Sequence, residues 1–491
     1  MKTFSFSGLT RQPALGLLGL GLLGLASCQT DIDAPAVASP GNASFARYIA
    51  VGNSLTAGYE DNGLYLEGQQ NSYPNILAQQ FAKAGGGQFR QPLFTTAQAN
   101  GSGYLRLAAI TNGSPVTQAV TTNLAVRGGT AAAPLYTKYT DPIENLGVPG
   151  ILLADVQTVG YGSTQGNPFF ERITPDAAAG QTYFQRVKAE AATATFFSMW
   201  LGNNDVLGYA TAGGAVASRG ITRADTFNLK AVRMLNALTA PSAVSPQGAR
   251  GVVSNIPDVT GIPFFTTVGA SFRAALPATV PTAAPFVYTT GILAPGATNT
   301  RVTATLGDIR TASGGTLLLT LTAAPYVGLY GQATGKYWRD FYVQATGAAP
   351  RGAVFAGFLG VLQVDTTKAF GQSTANPFPS TLVLDATEQT AVATATTAFN
   401  NSLQAAALAK GLAFFDANQY FRNIATTGIA SNGVNNTASF ISGNLFSLDG
   451  VHPTPRGYAL VANQIIMAIN ARYGGTIPQV NPNDYRGVLF P

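Results

Sequence analysis

From Phe45 onward, short apolar runs alternate with longer amphipathic stretches. Arg47–Val51 (RYIAV), Thr195–Leu201 (TFFSMWL), Gly251–Ile256 (GVVSNI) and Leu412–Phe415 (LAFF) read as buried strands, too short and too apolar for surface helices. Between them lie helical patterns. Ser72–Ala84 (SYPNILAQQFAKA) has a serine cap, an early proline, an apolar stripe and a glycine stop. Asp225–Leu238 is a second helix. Asp385 and Glu388 form a capping box ahead of a long third helix, which carries Phe399 and Leu403 on one face and ends at Gly411. Thr454-Pro455 opens the last helix, through about Ala471. Strands separated by helices predict an α/β fold, a three-layer αβα sandwich around a mostly parallel central sheet.

Two regions break the rhythm. Residues 88–138 and 264–379 are rich in Gly, Thr and Ala, with short alternating pieces such as TRVTATL and TLLLTLT. Both read as β-rich insertions, the second either a small cap over a site or surface decoration. The main domain is therefore expected in two parts, 45–263 and 380–491.

Composition narrows the class. The chain has 491 residues, 46% hydrophobic and only 10% charged, with 55 glycines and 28 prolines, which is globular and loop-rich. Net charge is +6, but Lys and Arg never cluster, so no nucleic-acid partner is expected. Before Phe45 the pattern is different. Lys2 and Arg11 precede an apolar run, ALGLLGLGLLGLA, too short to span a bilayer comfortably, and Leu25-Ala26-Ser27-Cys28 follows. This ending resembles the lipobox of bacterial lipoproteins. The resemblance implies a signal peptide over 1–27 and lipidation of Cys28, and the polar, aperiodic Thr30–Asn42 with its prolines and glycine reads as a flexible tether, so that the leader extends through residue 44. Membrane attachment through Cys28 follows, and Gln29 in place of an aspartate points to the outer membrane of the cell envelope. Cys28 is the only cysteine, so no intramolecular disulfide can form. Gly19-Leu-Gly21-Leu-Leu-Gly24 spells a dinucleotide fingerprint, but it follows no strand and would leave with the signal.

Chemistry is restricted by one count: the chain has a single histidine, His452. A multi-histidine or zinc–thiolate site is excluded, and neither GxxxxGK[ST] nor GxSxG occurs. No metal and no cofactor are expected. What remains is a hydroxyl nucleophile served by one imidazole. Asp449-Gly-Val-His452 places a carboxylate three residues before that imidazole, ahead of a helix. Tyr48–Asp61 (YIAVGNSLTAGYED) ends a strand on Ser54, which is either a helix cap or a nucleophile.

Four short blocks stand in order: Gly52-Asn53-Ser54-Leu55, Asn145-Leu-Gly-Val-Pro-Gly150, Gly202-Asn203-Asn204-Asp205 and Asp449-Gly-Val-His452. Together they resemble the GDSL-type esterases and lipases of the SGNH hydrolase superfamily, from Phe45 to the C-terminal helix but not across the insertions. The resemblance implies a flavodoxin-like sandwich, Ser54 as nucleophile, His452 as general base and then acid, and Asp449 as its orienting group. It assigns the oxyanion hole to the backbone N–H groups of Ser54 and Gly150 and the side-chain amide of Asn204. A glycine at 150 would let the backbone approach a tetrahedral intermediate where a Cβ would intrude. Asn53 stands where the family usually carries Asp, with tuning of the turn as the expected consequence, and Asp205 is expected to be structural. The implied activity is cleavage of carboxylic esters through an acyl-enzyme. The alternatives are an O-acetyl esterase acting on acetylated polysaccharide, and a binding lipoprotein of this fold that has lost catalysis.

Overall fold

A computed structural model describes residues 37–111, 114–294 and 299–491. The expected signal peptide and Cys28 lie outside the described residues. Ala38–Pro491 forms one compact unit.

Its centre is a parallel sheet of five strands: β1 (Tyr48–Gly52), β2 (Asn145–Gly147), β3 (Phe196–Trp200), β4 (Arg250–Ser254) and β5 (Ala413–Phe415), in the order β5-β4-β3-β1-β2. Val51 sits beside Leu146 on one side and Met199 on the other, so the three strands bearing sequence blocks are neighbours. This is the flavodoxin-like order, in which chain direction across the sheet reverses between β1 and β3. The carboxyl ends of those two strands open a crevice there, and Ser54 and Asn204 follow them.

The helices that matter for the site are α1 (Ser54–Ala57), α2 (Tyr73–Ala82), α3 (Tyr183–Ala191), α4 (Asn204–Thr211), α5 (Ala224–Leu238), α6 (Pro263–Ala275), α7 (Lys336–Thr346), α8 (Gly352–Val361), α9 (Ala386–Ala409) and α10 (Pro455–Tyr473). Both faces of the sheet are covered, which is why its strands are apolar throughout. Tyr48, Ala50, Phe196, Trp200 and Val252 pack with α2 and α10; Ile49, Val51, Phe197, Met199 and Val253 pack with α3, α5 and α9. Phe227 of α5 stacks on Phe399 of α9 with ring centroids 3.9 Å apart. The predicted capping box is present: Asp385 accepts from the Glu388 N–H, and Glu388 accepts from the Asp385 N–H. Thr454 caps α10, which runs beyond Ala471 to Tyr473 and stops at Gly474.

The irregular regions are more varied than their alternation suggests. Tyr104–Thr111 pairs with Ser114–Val120 and Val126–Gly129 with Pro134–Tyr136, as expected of a β insertion. The later region contains the pair Pro285–Thr290 and Thr300–Thr305, but also α7, α8 and a third apolar cluster around Phe286, Trp338 and Phe378. The end of the segment expected to be a flexible tether is tied down. Asn42 N–H donates to the Tyr473 carbonyl at 2.8 Å, and Thr476 N–H donates to that of Ser39 at 2.9 Å.

Candidate active site

The turn after β1 is built for close approach. A Cβ on Gly52 would lie 1.9 Å from Thr56 Oγ1 and 2.8 Å from the Trp200 carbonyl oxygen, so no larger residue ends the strand there. Asn53 then caps α1, its Oδ1 accepting the Leu55 N–H at 3.1 Å. One acceptor suffices for this cap, which accounts for an amide working where the family resemblance leads one to expect an acid. Its Nδ2 is buried without a partner among the described residues. Ser54 is the first residue of α1 and is 6% exposed. Its Oγ lies 2.9 Å from His452 Nε2.

His452 and Asp449 occupy the loop before α10. Ser447 N–H donates to the His452 carbonyl at 2.8 Å, which closes the loop. His452 Nδ1 lies 2.8 Å from Asp449 Oδ2. A carboxylate only accepts, so the ring proton sits on Nδ1 and Nε2 faces the Ser54 hydroxyl as an acceptor. The other oxygen, Oδ1, accepts the N–H groups of Val451 and His452, both at 2.8 Å, and the Ser447 hydroxyl at 3.1 Å. Burial would raise the Asp449 carboxyl, but the adjacent imidazole and these donors outweigh it and bring it down to about 2. Three groups separated by up to 398 positions in sequence thus form one hydrogen-bonded line. That line can move a proton from an alcohol to an imidazole.

The other predicted residues are placed less uniformly. Asn204, at the start of α4, lines the same cavity as Ser54 and His452. Its Nδ2 donates to the Ile151 carbonyl at 2.9 Å, leaving one amide hydrogen for another acceptor. Gly150 lies in the loop after β2, next to Ile151, is exposed, and does not line that cavity. A Cβ at this position would meet only Asn167 Nδ2, at 3.6 Å, but φ is +81°, which L side chains rarely adopt. Among the described residues no acceptor takes the N–H of Ser54 or of Gly150. Asp205 is fully buried and binds the Leu153 and Ala154 N–H groups at 2.7 and 3.1 Å, holding the loop that follows Gly150 against α4. Burial pushes its carboxyl up to about 6 despite those bonds.

The cavity has an empty volume of about 490 Å³. Its walls away from the polar line are apolar: Leu207, Val259, Ile262, Phe421, Phe446 and Val451. No described residue of 264–379 lines it; that insertion meets the acid loop from behind, where Phe264 N–H donates to the Gly450 carbonyl at 2.9 Å. The Tyr59 ring lies 4.7 Å from the imidazole. Sequence reasoning missed Tyr59, and it missed Asp61, Asn62 and Ser447, which surround Asp449; Asp61-Asn62-Gly63 carries a turn signature, but nothing in the sequence ties that turn or Ser447 to Asp449. Among the described residues no group of three His, Cys, Asp or Glu side chains could hold a metal ion.

A family model described as GDSL-like lipase/acylhydrolase matches residues 48–465 of the chain. No curated protein and no solved structure matches it.

Proposed function

Given that the chain belongs to the GDSL-like lipase/acylhydrolase family and is accordingly an ester-bond hydrolase, we propose that Ser54, His452 and Asp449 carry the reaction through an acyl-enzyme. The observation that carries the reading is the continuous line from Ser54 Oγ through His452 to Asp449. Ser54 Oγ attacks the ester carbonyl as its proton passes to His452 Nε2. The negative charge on the carbonyl oxygen is met by the Ser54 N–H and the free amide hydrogen of Asn204, both of which line the cavity, with the Gly150 N–H as the third donor that the family resemblance implies. Collapse expels the alkoxide, which takes the proton from His452, and leaves the acyl group on Ser54. Water then attacks with the same proton relay, releasing the acid and restoring the serine. Asp449 stays ionised throughout and compensates the imidazolium.

The substrate reading is an ester with a hydrocarbon acyl group. Leu207, Val259, Ile262, Phe421 and Phe446 offer apolar surface and few hydrogen-bonding groups to a sugar. Turnover of p-nitrophenyl esters from acetate to decanoate tests it: the optimum is expected above acetate. A sharp acetate optimum would instead favour the O-acetyl esterase acting on polysaccharide.

We also propose that the protein is held in the cell envelope, at the outer membrane, through lipidated Cys28. The support is the Leu25-Ala26-Ser27-Cys28 ending of the N-terminal apolar run. Labelled fatty acid should enter the wild-type chain in cells but not Cys28→Ala; equal labelling would refute the anchor.

A further inference from the structure

The carboxylate of Asp449 is gripped by groups that take no part in the proton relay. After α1 the chain reverses at Glu60–Gly63, with Glu60 N–H on the Gly63 carbonyl at 3.0 Å and Gly63 N–H on that of Glu60 at 2.9 Å. Both central residues are left-handed, Asp61 at φ 52° and Asn62 at φ 62°, the geometry of a type I′ turn. Asp and Asn tolerate that region better than other side chains, yet two in succession carry strain that something must hold in place. The turn spends that strain on a contact. It directs the Asn62 N–H at Asp449 Oδ2, 3.0 Å away, the same oxygen that meets His452 Nδ1.

Asp61 completes the grip. Its N–H donates to Ser447 Oγ at 2.9 Å, its Oδ1 accepts the Leu448 N–H at 2.8 Å, and the Ser447 hydroxyl donates to Asp449 Oδ1 at 3.1 Å. With one Ser447 lone pair taken by Asp61, the single hydroxyl proton is aimed at the acid. Behind Asp61, the Tyr65 hydroxyl reaches both its Oδ2 and Glu60 Oε1, and Arg486 pairs with Glu60 at 3.0 Å. The turn that follows the serine therefore holds the acid loop 387 positions later in the chain.

We propose that Asp61, Asn62 and Ser447 are positioning residues for ester hydrolysis, setting the direction and the basicity of Asp449 and through it the readiness of His452 to accept a proton. The proposal rests on the roles given above to Ser54, His452 and Asp449. Its alternative is that the turn merely fastens two loops together. Charge separates the two. Ser447→Ala removes a donor from Asp449, concentrates negative charge on the carboxylate and favours imidazolium, so the acidic limb of the kcat/KM profile moves to higher pH. Asp61→Asn keeps an acceptor for the Leu448 N–H but removes a negative charge beside Asp449, so the limb moves to lower pH. The titratable and charged groups around this pair are Glu60, Tyr65, Tyr104 and Arg486 beside Asp61, and His452, Tyr59 and Tyr458 beside Asp449. Burial holds the Asp61 carboxyl up at about 6, so its charge is present on the neutral side of the profile.

The experiment is the pH dependence of kcat/KM on p-nitrophenyl butyrate for the full chain and both variants. Circular dichroism scales each rate to the folded fraction, and the rate of Ser54 labelling by a fluorophosphonate is followed in parallel. Shifts of about half a pH unit in opposite directions are expected, a roughly threefold change in protonation ratio. Ser447→Ala should also lose about tenfold in kcat with KM little changed. If Ser447→Ala does not fold, the Asp61→Asn shift decides alone. Profiles that superimpose on wild type, or that move in one common direction, overturn the proposal while a reactive wild type leaves the catalytic reading standing. A wild type whose Ser54 does not react removes both.

Discussion

Replacing Asp449 by Asn tests the acid at the position where the structure is most demanding. Five donors surround this carboxylate: the Val451 and His452 N–H groups and the Ser447 hydroxyl on Oδ1, His452 Nδ1 and the Asn62 N–H on Oδ2. An amide must turn its NH₂ toward one set. Facing the Oδ1 set, it opposes two fixed N–H groups and loses two bonds to a charged acceptor, each worth about 1.5–3 kcal/mol. Facing the Oδ2 set, it opposes the Asn62 N–H and requires the imidazole to move its proton to Nε2. The second orientation disrupts less of the backbone, and it leaves Nε2 unable to accept from Ser54. We therefore expect Asp449→Asn to keep its fold with a loss of about 2 kcal/mol, while kcat falls about 10⁴-fold, the loss typical of a triad acid replaced by its amide. That corresponds to about 5.5 kcal/mol of transition-state stabilisation. Steady-state turnover of p-nitrophenyl butyrate and a thermal melt read both numbers. A folded Asp449→Asn protein with kcat within tenfold of wild type would refute the tautomer argument.

Asn204→Ala should lower kcat by about two to three orders of magnitude with a smaller change in KM, as expected for one oxyanion donor; a change confined to KM would move Asn204 out of that role. Glu60 is fully buried, and burial outweighs its Arg486 partner to lift its carboxyl to about 8, in keeping with an Oε2 that finds no acceptor-matched partner. A native state that holds a proton the unfolded chain releases near pH 4.5 loses stability as pH rises from about 4.5 to 8. Glu60→Gln should flatten that decline in thermal melts between pH 5 and 8, and parallel slopes for both proteins would contradict the assignment. Phe399→Ala removes a ring that is 1% exposed and stacked on Phe227, and should cost about 3–5 kcal/mol in urea unfolding; a loss under about 1 kcal/mol would mean the α5–α9 contact is dispensable.

The sheet was legible because both of its faces are covered. Four of its strands are apolar runs, and each was located to within two residues at either end. The fifth, Asn145–Gly147, is too short and too mixed to carry a period, and it stood out only as a block of sequence. In the later insertion, α8 reads GAVFAGFLGV, where glycines interrupt the pattern and no polar face opposes the apolar one, so periodicity has nothing to report. Ser54, His452 and Asp449 were singled out by the one imidazole together with the four ordered blocks that resemble the family, since a serine at that turn alone reads as a cap or a nucleophile. Their supports were not, since Asp61, Asn62 and Ser447 act through backbone N–H groups and short hydroxyl bonds that only the fold brings together. Gly150 was singled out for approach to a reaction intermediate, and its left-handed φ is a further reason for glycine that no sequence pattern shows.

The most direct measurement is the mapping of a fluorophosphonate adduct by mass spectrometry on the folded chain. The account predicts one adduct, on the peptide carrying Ser54, absent in Ser54→Ala and strongly slowed in His452→Ala, because among the described residues only that hydroxyl has an imidazole 2.9 Å away to accept its proton. Equal labelling of wild type and Ser54→Ala, or a folded wild type that takes up no label, would contradict it.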